Sequence, residues 1–218
     1  MNCIKHLLDL LYPPKCPFCD KILERRDDSL CDSCQSQLPW TKEGEAGKPI
    51  DFCDQHLFPL WYQGQVPDAV HRYKFKSAQT YALVLGSLMS QCLADRWNEQ
   101  ADLVTWVPLS KRRLGERGYD QARLLAQQVS CLSGIPAEAT LEKFRETQPQ
   151  STLSEESVRR ANVQGAYRVM PGADLAGKRI ILVDDVATSG ATLSECAVCL
   201  RLAGAESVMA LTLARARK

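Results

Sequence analysis

The sequence has no long apolar run and almost no net charge. Because no stretch of about 18 apolar residues occurs, we expect no transmembrane helix and no stable membrane insertion. The 218-residue chain has a net charge of +1, which excludes strong overall attraction to nucleic acid or anionic lipid. Apolar residues make up 45% and charged residues 24% of the chain, which excludes disordered, collagen-like and coiled-coil proteins.

The amino terminus lacks the features of a secretion signal. Its apolar stretch is broken by Lys5 and Asp9, and no small-residue cleavage site follows. The spacing instead predicts an amphipathic helix that packs against the rest of the protein, with apolar positions Ile4, Leu7, Leu8 and Leu11. We therefore expect a cytoplasmic protein with reduced thiols.

Ten cysteines are the unusual feature of the composition. Four of them form two C-x2-C pairs separated by eleven residues: Cys16, Cys19, Cys31 and Cys34. Two such pairs can surround a tetrahedral Zn²⁺, and four protein ligands leave no open position for a substrate. The segment between them has few large apolar residues, so this pattern predicts a structural zinc module. Cys53 is an alternative ligand, although no second cysteine accompanies it at this spacing.

The remaining cysteines are predicted to be packing residues. Cys196 and Cys199 share the x2 spacing but lie in a helical pattern, which favours buried core thiols over a metal site. Cys3, Cys92 and Cys131 are isolated in the sequence.

Strand and helix patterns alternate after the cysteine-rich segment. Apolar runs predict strands at 57–62, 102–108, 178–185 and 206–214. Helical spacing extends over 81–92 and 122–129. This alternation predicts an α/β fold with a mostly parallel, doubly wound sheet. We divide the chain into two parts. Residues 1–56 contain the N-terminal helix, a small zinc module built on four cysteines, and a linker. Residues 57–218 form an α/β domain.

The most informative stretch is IILVDDVATSGAT, residues 180–192. A buried strand places Asp184 and Asp185 at its carboxyl end, the edge at which open α/β sheets bind ligands. The loop that follows consists of Val186, Ala187, Thr188, Ser189, Gly190, Ala191 and Thr192. Its small residues, its hydroxyls and a helix N-terminus predict a phosphate cradle, and the carboxylates can accept hydrogen bonds from sugar hydroxyls. Because no Walker A lysine is present, nucleoside triphosphate hydrolysis is not predicted.

A basic segment follows the strand at 102–108. Its residues are Pro108, Leu109, Ser110, Lys111, Arg112, Arg113 and Arg117. At the carboxyl end of a strand, arginine forks are well placed to bind an anion. A solvated helix start and contact with a nucleic-acid backbone are the alternatives.

Two further segments are candidates for the site. The polar stretch 144–160 predicts either a linker or a lid that closes over the substrate, and its candidate residues are Arg145, Gln148, Arg159 and Arg160. His71, Tyr73 and Lys74 lie near the sheet, where the end of a surface helix explains them equally well.

Residues 180–192 resemble the phosphoribosyl pyrophosphate (PRPP) motif of type I phosphoribosyltransferases, with Thr188, Gly190 and Thr192 in its T-x-G-x-T positions. The zinc module, the segment 107–122 and the arginines of the polar stretch resemble the ComF family over nearly the full length.

The resemblance implies a phosphoribosyltransferase site. The loop 186–192 would bind the 5′-phosphate, and the catalytic pair Asp184 and Asp185 the ribose hydroxyls, with Mg²⁺ bridging ribose and pyrophosphate. Residues 108–110 would form the pyrophosphate loop, with Arg112, Arg113 or Arg117 near the anion. The ligand would be PRPP or another phosphorylated ribose. The resemblance does not identify the acceptor substrate.

The family's link to competence implies a role in DNA uptake or utilisation. It suggests single-stranded DNA or a DNA-uptake helicase or channel protein as a partner. The alternative function is a non-catalytic DNA- or partner-binding module that retains the PRPP scaffold.

Overall fold

The computed structural model describes residues 13–24, 29–42, 44–75, 79–147 and 156–217. Of Glu156, Arg159 and Arg160 it describes the backbone only. The predicted N-terminal helix, Cys3 and Gln148 lie outside the described residues.

A parallel sheet forms the centre of the molecule, as predicted. Its strands are β1 (Gln55–Leu57), β2 (Leu60–Trp61), β3 (Leu103–Trp106), β6 (Arg179–Ala187) and β7 (Ser207–Arg215). The order is β1-β7-β6-β3, and β2 also pairs with β7, beyond β1. A separate antiparallel pair consists of β4 (Leu141–Lys143) and β5 (Tyr167–Val169).

One predicted strand is divided in two. The expected strand at 57–62 is interrupted after Leu57 and resumes at Leu60. Pro59 lies in the gap and has no N–H to donate to a sheet, so the ladder cannot run through it.

Helices cover both faces of the sheet. They are α1 (Asp32–Gln37), α2 (Val66–Phe75), α3 (Tyr81–Arg96), α4 (Lys111–Arg117), α5 (Gln121–Ser133), α6 (Glu156–Val163) and α7 (Ala191–Leu202). Because successive strand residues point to opposite faces, Ile181 and Val183 of β6 pack in one core with α2, α3 and α5. Ile180 and Leu182 pack in a second core with α7. None of these helices, which belong to the described part of the chain, is long and apolar enough to cross a membrane.

The cysteine-rich segment shares the first of these cores. Phe18 and Leu38 are buried in the same cluster as Val66, Tyr73 and Leu85 of the helical layer. The buried cluster therefore runs across the predicted boundary at residue 56.

Candidate functional site

A cavity of about 460 Å³ opens at the carboxyl ends of β3 and β6. Its walls come from the end of α2, the segment after β3, the β4–β5 pair and the stretch that leads from β6 into α7. It brings together most of the predicted site: Pro108, Leu109, Arg112, Arg113, Arg117 and residues 184–192. Topology thus collects residues from distant parts of the sequence at the predicted edge of the sheet.

The loop after β6 has the geometry of a phosphate cradle. Gly190 has φ +82° and precedes the first residue of α7, so the first N–H groups of α7, which have no acceptor within the helix, lie in the cavity wall. A Cβ on Gly190 would lie 3.0 Å from Ile50 Cγ1, so a side chain here would have to displace Ile50 as well as adopt a positive φ. Ser189 Oγ accepts the Ala191 N–H at 3.3 Å and stabilises the turn.

Asp185 forms an ion pair with a lysine from outside the motif. Lys74 Nζ, in the last turn of α2, lies 2.9 Å from Asp185 Oδ1 and 2.8 Å from Oδ2. Both side chains are largely buried, at 24% and 11% exposure, so solvent screens the pair weakly. Of the candidate group His71, Tyr73 and Lys74, the structure therefore places Lys74 directly on the acidic pair.

Asp184 faces a different environment. Alternate residues of a strand face the same side of the sheet, so Asp184 lies on the α7 side together with Ile180 and Leu182. Lys143 and Tyr167 line the same cavity as Asp184. Burial, together with the negative charge of Asp185, raises the pKa of Asp184 to about 8. Its Oδ1 accepts the Asp185 N–H at 2.8 Å. The two adjacent carboxylates therefore face different neighbours.

The predicted basic loop is partly helical. Ser110 caps α4, and its hydroxyl donates to Glu146 Oε2 at 3.0 Å. The Leu109 N–H donates to Asp120 Oδ2 at 3.0 Å, and Asp120 also caps α5. These caps hold the main chain at 108–110 against the cavity. Ser110 itself is buried and Lys111 is exposed, and neither lines the cavity.

The three arginines of this segment differ in their surroundings. Arg112 is exposed and pairs with Glu116 at 2.9 Å. Arg117 donates to Gln121 Oε1 at 2.7 Å and lies over the Phe75 ring. Arg113 is half-buried, and burial lowers its pKa from the ordinary value. Burial makes Arg113 the strongest candidate of the three for holding an anion.

Lys143 is a cavity residue that the sequence analysis missed. Its Nζ donates to Thr147 Oγ1 at 2.7 Å and lies 5.1 Å from the centre of the Tyr167 ring. Burial, and then the charge of Arg113, lower the pKa of Lys143 to about 8. Arg113 also donates to the Thr147 carbonyl, at 3.4 Å, so Thr147 contacts both cations. A lysine in a three-residue strand carries no motif that could have revealed this position.

Of the predicted lid residues, only Arg145 has a described side chain, and it is not among the residues that line the cavity. Arg145 is exposed and donates to the main-chain carbonyls of Asn162 and Gln164. The side chains of Arg159 and Arg160 are not described, and Gln148 lies outside the described residues. Their role as a lid stays a prediction.

The four paired cysteines form a cluster that fits a tetrahedral metal. The sulfur atoms of Cys16, Cys19, Cys31 and Cys34 all lie within 4.8 Å of one another. Cys53 is not in this cluster.

The other cysteines behave largely as packing residues. Cys196 and Cys92 are buried and Cys199 is partly buried, as expected. The expectation was wrong for Cys131, which is exposed because it lies outside the apolar stripe that α5 turns to the core.

Comparison with known proteins assigns both parts of the chain. A model of the double zinc ribbon domain matches residues 7–49, and a model of the phosphoribosyl transferase domain matches residues 116–218. The chain is 30% identical to Competence protein F of Haemophilus influenzae, over 93% of this chain and 97% of that one. It is 33% identical to DNA utilization protein YhgH of Salmonella typhimurium, over 92% of this chain and 89% of that one. The chain belongs to the ComF family. Competence protein ComFC of Streptococcus pneumoniae is 27% identical, over 92% and 87% of the two chains.

This ComF-family chain combines a zinc ribbon with a phosphoribosyltransferase fold, as its motifs predicted. The ribbon match spans 7–49, and the cysteines in that range are the four that cluster in the structure. They form its zinc site. The transferase match contains β6, the acidic pair and the phosphate loop.

Proposed function

We propose that this ComF-family protein is a cytoplasmic phosphoribosyltransferase that binds PRPP with Mg²⁺ and acts in DNA uptake or utilisation. The observation that supports it is the convergence of the phosphate loop, the acidic pair and the half-buried cations Arg113 and Lys143 on one cavity. The names of its relatives, a competence protein and a DNA utilization protein, support the cellular role.

The cavity offers one group for each part of PRPP. In this proposal the main-chain N–H groups of 188–192 bind the 5′-phosphate, and Asp184 and Asp185 bind the ribose hydroxyls; all of these residues line the cavity. Arg113 and Lys143, which line the same cavity, bind the pyrophosphate. Carboxylate oxygens are ligands that Mg²⁺ accepts, and the ion when bound supplies charge neutralisation on the pyrophosphate.

The reaction depends on charge that develops as the bond to pyrophosphate breaks. The ribose C1–O bond cleaves with its electron pair on the pyrophosphate oxygen, and a nucleophilic acceptor forms the new bond to C1. Positive charge grows on the ribose ring next to the carboxylates, while negative charge grows next to Arg113 and Lys143. Electrostatic stabilisation and positioning therefore supply most of the catalysis.

Isothermal titration of the zinc-loaded protein with PRPP, with and without Mg²⁺, tests this proposal. We expect saturable binding that Mg²⁺ strengthens, and weaker binding of ribose 5-phosphate and of pyrophosphate, which each fill one part of the cavity. Asp184→Asn combined with Asp185→Asn should abolish PRPP binding and leave the fold intact by circular dichroism. Unchanged affinity in the folded double variant, or no binding at millimolar PRPP, would contradict the proposal.

A further inference from the structure

Helix α2 lies between the zinc ribbon and the cavity, and it contacts both. Arg72 Nη2 donates to the main-chain carbonyls of Pro17 at 2.9 Å and Phe18 at 2.5 Å. Two residues further along the helix, Lys74 pairs with Asp185. Residues two apart on a helix are about 200° apart around its axis, so Arg72 and Lys74 reach in nearly opposite directions.

The carbonyls that Arg72 binds belong to the zinc site. Pro17 and Phe18 are the two residues between the ligands Cys16 and Cys19, so zinc bound by both thiolates would restrain their conformation. Phe18 is also buried in one cluster with Tyr73, the residue between Arg72 and Lys74. Bound zinc would thus stabilise the surface on which this turn of α2 rests.

The ribbon also contacts the start of the same helix. Cys34 Sγ donates to Oε1 of Gln65, the residue that directly precedes α2, at 3.1 Å. A zinc-bound Cys34 thiolate can only accept, so in the zinc-loaded protein the Gln65 amide would have to turn its N–H group toward the sulfur. Zinc ligands and their neighbours therefore contact α2 at both ends.

The side of α2 away from the ribbon is held by the domain itself. Tyr73 Oη donates to the Gln121 carbonyl at 2.9 Å, and the Tyr119 hydroxyl donates to the Tyr73 carbonyl. Because one side of α2 is anchored to α5, the contact with the ribbon restricts how far the last turn of α2 can still rotate or shift. The position of Lys74 against Asp185 depends on both contacts.

We propose that the zinc ribbon positions Lys74 in the phosphoribosyl cavity through Arg72, so that the metal site and the ligand site are coupled along α2. Arg72 is a positioning residue in this scheme and Lys74 is its target. The expected effect on PRPP affinity rests on the proposed function. The coupling between the zinc site and Lys74 does not depend on it.

A labelling experiment on the ligand-free protein tests the coupling without any activity. A brief pulse of an acylating reagent, followed by mass spectrometry, measures the reactivity of Lys74. Pairing with a carboxylate suppresses the nucleophilicity of an amine, so Arg72→Gln and removal of zinc by a chelator should each raise Lys74 labelling several-fold. Arg72→Lys, which retains one donor, should restore part of the protection.

Arg96→Gln is the matched control. Arg96 also donates to the N-terminal part of the chain, at Thr41 Oγ1 and the Thr41 carbonyl, but from α3 and without a link to Lys74. We expect Lys74 labelling in Arg96→Gln to equal that of the unaltered protein. Equal increases in Arg72→Gln and Arg96→Gln, or no increase after zinc removal, would overturn the proposal.

A double-mutant cycle on PRPP affinity tests the consequence. Arg72→Gln should weaken PRPP binding about fivefold, the low end of coupling between sites, because a cation moves away from the anionic ligand. In a Lys74→Gln background the same change should alter affinity by less than about twofold, the usual error of additivity. An equal loss in both backgrounds would show that Arg72 does not act through Lys74. If the unaltered protein does not bind PRPP, the proposed function fails, while the labelling result still decides the coupling.

Discussion

Lys74 Nζ lies within 2.9 Å of both carboxylate oxygens of Asp185, although the two residues are 111 positions apart in the sequence. The helix that carries Lys74 precedes β3, and the strand that carries Asp185 lies at the centre of the sheet. The acidic pair of the ligand motif is therefore balanced by a cation from outside the motif. This contact connects the charge of the cavity to the helix that the zinc ribbon touches.

Replacing Lys74 should destabilise the protein by leaving a buried carboxylate unpaired. Asp185 has a side-chain exposure of 11%, and we expect Lys74→Gln to lower the free energy of unfolding by about 1–3 kcal/mol. Urea denaturation measures the loss. Adding Asp185→Asn should recover part of it, and Lys111→Gln, which changes an exposed lysine of α4, should stay within about 0.5 kcal/mol. Equal losses from both lysine variants would contradict the importance of the pair.

Gly190→Ala should abolish PRPP binding and lower the free energy of unfolding. Gly190 and Gly172 have φ of +82° and +83°, so alanine costs about 1–2 kcal/mol of backbone energy at either position. Only at Gly190 does the new Cβ meet a neighbour, Ile50 Cγ1 at 3.0 Å, whereas Gly172 has nothing within 4 Å. Gly172→Ala therefore measures the backbone cost alone.

Denaturation and PRPP titration of the two glycine variants separate these effects. We expect Gly190→Ala to lose more stability than Gly172→Ala and to lose PRPP affinity, which Gly172→Ala retains. Equal behaviour of the two variants would show that the loop tolerates the added methyl group.

Lys143→Met should stabilise the protein near pH 7 and weaken PRPP binding. Burial lowers the pKa of Lys143 to about 8, whereas the unfolded chain has the ordinary lysine value of about 10.4. Below pH 8 the lysine is charged in both states, so the cost of burying the charge is fully present. Between pH 8 and about 10 the unfolded state binds more protons, so this residue's contribution to stability rises with pH.

The stability gained in Lys143→Met should therefore be largest near pH 7 and shrink toward pH 10. Urea denaturation at both pH values measures it, with Lys42→Met, an exposed lysine, as the control. A gain that does not change with pH would show that burial of the Lys143 charge costs nothing.

Cys31→Ser should release zinc and lower stability by far more than a surface substitution. Four thiolates hold the metal, and ribbon residues such as Phe18 and Leu38 belong to a core shared with α2 and α3. Zinc binding contributes roughly 10–16 kcal/mol of apparent free energy to the folding of zinc-finger peptides. A surface substitution usually changes the free energy of unfolding by about 0.5 kcal/mol, so losing even a small part of the zinc contribution is a larger effect. Zinc content by a colorimetric chelator and urea denaturation measure both losses. Cys131→Ser changes an exposed thiol outside the cluster and should keep the metal.

Local patterns were enough to predict the sheet and the zinc ligands, whereas phosphate binding by the loop at 186–192 stays a prediction. The apolar run that ends in Asp184 and Asp185 became β6, and the helical spacing at 81–92 and 122–129 became α3 and α5. These features are encoded by neighbouring residues, because strand burial, knuckle spacing and a turn at Gly190 depend on a few consecutive side chains and φ angles. The division of the predicted strand at 57–62 was also local in origin, since Pro59 lies within it.

Tertiary structure alone decided which groups face the two carboxylates. Alternation along a strand already directs Asp184 and Asp185 to opposite faces, but no local pattern indicates that Lys74 pairs with Asp185 or that Lys143 lines the same cavity as Asp184. Both lysines are on elements with ordinary patterns, and their positions depend on the strand order and on how α2 and β4 pack. The sequence therefore specifies the acidic strand end and the loop after it, while the packing of distant elements sets the charge balance there and brings the zinc ribbon into contact with α2, the helix that carries Lys74. The physical reason is that burial and Coulomb interactions depend on distances in space, which sequence separation does not reveal.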